Sequence, residues 1–85
     1  MTKKEFLHRM ETEKISLREY IVVVDRLSDG PYVIGCHYEE GVWIIYTTGE
    51  RGGYYGGTKI EDENEAFDHL YRKVKLQESY VRNSD

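Results

Sequence analysis

The sequence predicts an α+β fold: an N-terminal helix, a four-stranded antiparallel β-meander and a C-terminal helix. Three observations carry this reading. Capping-box signals stand near both ends, Thr2 with Glu5 and Asp62 with Glu65. Between them the β-rich runs YIVVV, PYVIGCHY, VWIIYTT and TKI alternate with turn residues. The connections between those runs are short, which favours antiparallel neighbours, because a parallel pairing ordinarily needs a crossover of about a dozen residues or more.

Each element has a local cause. Thr2 and Glu5 satisfy backbone N–H groups that a helix start leaves unpaired, and Phe6, Leu7 and Met10 fall on one face, predicting a helix over residues 3–13. From Tyr20 the chain turns β-branched. Asp29-Gly30-Pro31 breaks the first strand from the second, and Glu39-Glu40-Gly41 breaks the second from the third. In VWIIYTT, Trp43 and Ile45 point one way while Val42, Ile44 and Tyr46 point the other, so both faces of this strand are apolar. Three arrangements satisfy it: a curled sheet, one helix on each face, or an aromatic face left open for a partner. A short fourth strand, TKI, follows the glycines. Ala66, Phe67, Leu70, Tyr71 and Val74 then recur at helical spacing, predicting a helix over 62–77, and the polar ESYVRNSD, from about residue 78 to 85, reads as a frayed tail.

Composition narrows the function classes. A chain of 85 residues has surface for one core, so residues 1–85 form a single domain without an interdomain cleft. The net charge of −4 is uneven: residues 27–68 hold nine acids against Arg51 and Lys59 alone. The clustered Lys and Arg of a nucleic-acid footprint are therefore missing where the glycines and tyrosines lie. Cys36 is the single cysteine, which excludes an intramolecular disulfide and a thiolate metal cage and fits a reducing compartment. MTKKEFLHRMETEKI lacks the apolar run of a signal peptide, and no uncharged stretch is longer than Gly30 to Tyr38, which is too short to span a membrane. A cytoplasmic protein without membrane association is the expectation.

The motif that most resembles chemistry is GERGGYYGG, residues 49–57. A phosphate-binding loop needs Gly-Lys-Ser/Thr leading into a helix, whereas Gly57 is followed by Thr58-Lys59 and then a strand. No register of the glycines supplies a dinucleotide fingerprint. Turn chemistry explains them better: Gly52 and Gly53 permit positive φ at a hairpin apex, and Gly56 and Gly57 permit a bulge. Tyr54 and Tyr55 are adjacent in an extended segment, so one packs over the glycines while the other is free to contact a partner.

His8, His37 and His69 fall on three different elements without metal-ligand spacing, and Cys36 and His37, as neighbours on a strand, face opposite ways. Ser16, Ser28, Ser79 and Ser84 read as caps, turn residues or tail. The expectation is no catalytic residue, no metal site and no cofactor. The acids at turns, Glu39, Glu40, Glu50, Glu61 and Glu63, together with Tyr54 or Tyr55, are the candidate partner-binding surface, a negative rim suited to a basic protein. Glu11 and Glu13 on the first helix form a competing surface.

GVWIIYTTGERGG followed by IEDENEAFDHL is similar to a pattern of small immunity proteins of bacterial polymorphic toxin and contact-dependent growth inhibition systems. In these a Gly-x-Trp strand, a Glu-Arg-Gly turn and an acidic, alanine-containing helix follow one another. The resemblance covers about residues 41–70. In the family pattern the strand runs straight into Glu-Arg-Gly, whereas here Thr47, Thr48 and Gly49 intervene. The resemblance implies a cytoplasmic, non-catalytic protein that binds a cognate toxin domain, such as a nuclease, and blocks its active site or substrate groove. Trp43 is then a core residue, and Glu50, Arg51 and Gly52 form the turn. Two further classes compete: a regulatory or assembly module that self-associates as a homodimer through an exposed sheet face, and a single-strand binder using Tyr54, Tyr55, Arg72, Lys73 and Lys75, which the acidic middle disfavours.

Overall fold

The computed structural model describes residues 1–83, without the side chains of 54–56 and 82–83. Helix α1 (Lys3–Glu13) is followed by strands β1 (Ile21–Val24), β2 (Val33–Glu39), β3 (Val42–Gly49) and β4 (Gly52–Ile60), and by helix α2 (Glu63–Asn83). The four strands lie in chain order in one sheet. The architecture is α+β, as expected, but the sheet is mixed.

β1 pairs with β2 in parallel, with Ile21 opposite Val33 and Val24 opposite Cys36, whereas β2, β3 and β4 form an antiparallel meander. The expectation of a purely antiparallel sheet is corrected here, and strand length is the reason. The four residues of β1 cover only about 13 Å, while residues 25–32 can reach roughly 27 Å when extended. A connection that short can double back to the start of β2 without a crossover helix. Asp25 (φ 71°) and Tyr32 (φ 55°) make the reversals at its two ends in the left-handed region.

Both helices lie on one face of the sheet. Phe6 of α1, Leu17 of the following connection, and Ala66, Phe67, Leu70 and Val74 of α2 close a buried core over Ile34, Cys36, Trp43 and Ile45. Aromatic rings run through it in series: Phe6 lies 5.6 Å from Phe67, and Phe67 lies 4.9 Å from Trp43. The opposite face carries Val23, Val33 and Tyr46, a second buried cluster. The β1–β2 crossover covers it. This is none of the three arrangements foreseen for the two apolar faces of VWIIYTT, although Trp43 and Ile45 do part from Tyr46 as the alternation predicts.

Tyr46 fastens the crossover. Its hydroxyl accepts the Ser28 N–H at 3.0 Å and donates to the Arg26 carbonyl at 2.9 Å. Gly35 makes room for the ring: a Cβ there would stand 2.6 Å from the Tyr46 hydroxyl oxygen and 2.8 Å from the Val23 carbonyl oxygen. At the far end of the loop the Val33 N–H donates to the buried Thr48 Oγ1 at 2.7 Å, and Gly53 N–H donates to the Asp29 carbonyl at 3.0 Å.

The turns follow their sequence. Glu40 (φ 49°) and Gly41 (φ 83°) connect the paired residues Glu39 and Val42, the two positive φ angles of a tight primed hairpin turn. Glu50 and Arg51 connect Gly49 to Gly52, where φ is 74°. A left-handed glycine after a short turn is the signature of a bulge that twists the hairpin. A second register shift falls between Ile45↔Thr58 and Thr47↔Tyr55, opposite the Gly56-Gly57 pair, so the bulge expected there is present. The glycines are, however, part of a long β4 and not a loop before a short TKI strand. Their bulges let the backbone twist with β3 while keeping the ladder.

The Thr2–Glu5 capping box forms in both directions, and Asp62 Oδ2 accepts the Glu65 N–H at 2.9 Å. α2 continues to Asn83, beyond the expected end at 77, so the stretch read as frayed is helical through 83; residues 84–85 lie outside the described ones. Lys75 pairs with Glu78 one turn on at 2.7 Å, and Gln77, Tyr80 and Val81 line a shallow groove with Arg18 and Glu19.

Three substitutions test these contacts. Gly35→Ala is expected to destabilise the fold by about 2 kcal/mol or more, and Tyr46→Phe by about 1–3 kcal/mol, read from urea midpoints. In Tyr46→Phe the Ser28 amide also loses hydrogen-exchange protection while core amides of α2 keep theirs. Burial first, and then the charges of Lys73 and Arg72, lower the His69 pKa below its ordinary 6.5. As pH falls below about 6.5 the unfolded chain takes up the His69 proton before the folded chain does, so stability declines. His69→Gln should flatten that part of the stability–pH curve; an unchanged slope excludes His69 as its source.

Candidate protein-binding groove

One end of the sheet gathers negative charge around two aromatic rings. Asp25 leaves the end of β1, Tyr38 and Glu39 close β2, Glu40 lies in the β2–β3 turn, and Glu61 and Glu63 join β4 to α2. The antiparallel register places Tyr38 opposite Trp43 and Trp43 opposite Ile60, so the three chain segments converge. Asp25, Tyr38, Trp43, Glu61 and Glu63 line an open groove of about 460 Å³.

The aromatic floor is fixed from below. Trp43 is 8% exposed and rests edge-on against Phe67, so its ring is held by the core. Tyr38 lies 5.0 Å from Trp43 but is 57% exposed, which leaves a ring face to solvent. The carboxylates are anchored in part. Glu63 Oε2 accepts the Lys3 N–H at 3.1 Å, supplementing the Thr2 cap of α1, and the Lys3 ammonium pairs with Asp25. The hydrogen bond to Asp25 raises the Lys3 pKa above its ordinary value. Glu39, Glu40 and Glu61 are exposed at the same end of the sheet.

The structure divides the expected rim. Glu39, Glu40, Glu61 and Glu63 share this end, with Glu61 and Glu63 brought to one groove. Glu50 sits in the β3–β4 turn at the other end, on the order of 25 Å away along β3. There its charge, after burial, helps to raise the pKa of Tyr32. The side chains of Tyr54 and Tyr55 lie outside the described residues. Glu11 and Glu13 are on α1; Glu13 accepts a hydrogen bond from the Tyr71 hydroxyl at 2.7 Å, which ties it to α2.

Sequence reasoning missed Asp25 and Tyr38 and assigned Trp43 to the core alone. The alternation of β2 placed Tyr38 on one face, and a β2–β3 hairpin register would have put it across from Trp43. Nothing local could have placed Asp25 there, since an antiparallel β1 would carry it to the Glu50 end.

An exposed aromatic ring beside the exposed carboxylates of Glu39, Glu40 and Glu61 suits a positively charged side chain. A guanidinium or ammonium over the Tyr38 ring gains cation–π attraction, and adjacent carboxylates accept its charge-assisted hydrogen bonds. Among the described residues no group of three or more His, Cys, Asp or Glu could hold a metal ion, and no helix is long and apolar enough to cross a membrane. Cys36 lies in the core and His37 packs on Tyr46 on the opposite face, so the two do not meet. Burial raises the Cys36 pKa to about 11, which keeps the sulfur a thiol at neutral pH.

Cys36 should therefore react with a disulfide reagent at pH 8 only as fast as the fold opens, and at full speed in denaturant. Rapid labelling of the native chain would contradict its placement in the core. With these geometries in view, no protein-family model, no curated protein and no solved structure matches the chain.

Proposed function

We propose that this chain is a non-catalytic binding protein that neutralises a cognate toxin domain, in the manner of the small immunity proteins its central motif resembles. It engages a basic protein surface, such as the substrate groove of a nuclease, through the acidic, aromatic end of its sheet. One observation supports this reading above the others: three separate segments bring Asp25, Glu61 and Glu63 around the Tyr38–Trp43 pair, with Lys3 paired to Asp25. The resemblance further implies bacterial origin and a cytoplasmic site of action.

In this reading Tyr38 is the central anchor, because an aromatic side chain supplies contact area at low entropic cost. Glu39, Glu40 and Glu61 steer the encounter, and their long-range field accelerates association more than it strengthens the final complex. Asp25 and Glu63 serve two roles, since both also hold the start of α1. Glu50, at the other end of the sheet, contributes to net charge only.

Co-expression in a sensitive bacterium with the C-terminal domain encoded by the neighbouring upstream gene tests the reading through growth and co-purification. Rescue with a stable complex is expected. Tyr38→Ala should then raise Kd by about tenfold or more, Glu61→Lys should slow association with an effect that shrinks as salt is added, and Glu50→Lys should change little. A toxic domain that is neither bound nor neutralised rejects the proposal; rescue that is indifferent to Tyr38 and Glu61 rejects the groove as the binding surface.

A further inference from the structure

The sheet has two edges, and they differ. β4 is interrupted by two register shifts, carries glycines along its length and exposes Lys59, all features that discourage a further strand. β1 has none of them. It is the uncharged run Ile21-Val22-Val23-Val24, and Ile21 is 54% exposed.

Hydrogen-bond directions show what this edge offers. Ile21 N–H donates to the Tyr32 carbonyl and Asp25 N–H to the Cys36 carbonyl, both toward β2. By the two-residue period, the N–H and C=O groups of Val22 and Val24 point away from β2. Along the same strand runs an open groove of about 490 Å³, lined by the apolar Met10, Ile15, Leu17, Tyr20, Ile21 and Val22 together with Ser16 and Arg18. Among the described residues the edge therefore presents backbone groups turned away from β2 and a mainly apolar recess beside them.

We propose that β1 is a docking edge for a second copy of this chain, paired antiparallel about a two-fold axis at Val23, so that two four-stranded sheets join into one. The strand's own symmetry selects that occupant. Val22-Val23-Val24 reads the same in both directions. A two-fold at Val23 sets Val22 opposite Val24 of the other copy, and each outward N–H then meets an outward C=O. Valine faces valine at every one of these positions, the β-branched pairing that stabilises neighbouring strands. An isologous contact of this kind closes on itself and leaves β4 as the outer edge of the joined sheet.

The dimer does not depend on the toxin-binding proposal and is tested without any partner. Sedimentation equilibrium on the full chain is expected to show a monomer–dimer equilibrium. In parallel, amide exchange at Val22 and Val24 should slow as concentration rises, about tenfold when nine-tenths of the chain is dimeric, while the amides of α2 show no such dependence. Val22→Pro removes an outward donor and leaves the Ile21 and Asp25 bonds to β2; it is expected to abolish association, with circular dichroism reporting whether the fold persists. A chain that stays monomeric at millimolar concentration overturns the proposal. So does a dimer in which the Val22 and Val24 amides exchange as they do in dilute solution, and this measurement on the unmodified chain decides the matter even if Val22→Pro fails to fold.

Discussion

The rest of the structure depends on how Tyr46 lies across Gly35. The ring occupies the space where any larger residue would carry a side chain, and its hydroxyl satisfies two backbone groups of the β1–β2 crossover, the Ser28 N–H and the Arg26 carbonyl. A buried tyrosine needs such partners, because an unsatisfied hydroxyl in the interior costs about as much as a lost hydrogen bond. The crossover uses them as well: where the loop lies on the sheet its peptide groups are partly shielded from water and bond to Tyr46. One side chain thus meets the needs of both.

From that contact the topology follows. With the crossover held on the face opposite the helices, β1 returns to the sheet parallel to β2, and both faces of the central strand are covered by different means. The helices cover Trp43 and Ile45; the loop covers Val33 and Tyr46. The parallel direction also carries Asp25 to the end of the sheet where Lys3, Glu61 and Glu63 stand. The groove at that end, and the open edge of β1 on the outside, are both products of the same short crossover.

Much of the fold was legible locally. The Thr2–Glu5 capping box, the Asp62 half of the second one, the Glu40-Gly41 turn, the positive φ of Gly52 and Gly53 and the bulge opposite Gly56-Gly57 depend on the chemistry of a few adjacent residues, and each appears where the sequence places it. The site was legible only in part. Glu61 and Glu63 were recognisable because capping left them without a full role, and Glu39 and Glu40 because they flank a turn glycine. Their separation from Glu50, and their company with Asp25, Tyr38 and Trp43, depend on which strand ends share a side of the sheet. Short connections suggested one direction for β1, and the four-residue length of that strand permitted the other.

What the sequence by itself determined is the class and the parts: an α+β chain with two capped helices, four strands, an acidic middle and turn chemistry between the strands. These rest on periodicity, capping and backbone preferences, which act over a few residues. Tertiary structure decided the direction of β1, the continuation of α2 to Asn83, the covering of the second sheet face and the gathering of acids around Tyr38. The direction of β1, the covered face and the gathered acids rest on contacts between residues distant in the chain, Tyr46 with Ser28, Lys3 with Asp25 and Lys3 with Glu63 among them, and no local preference encodes which of several compact arrangements brings such pairs together.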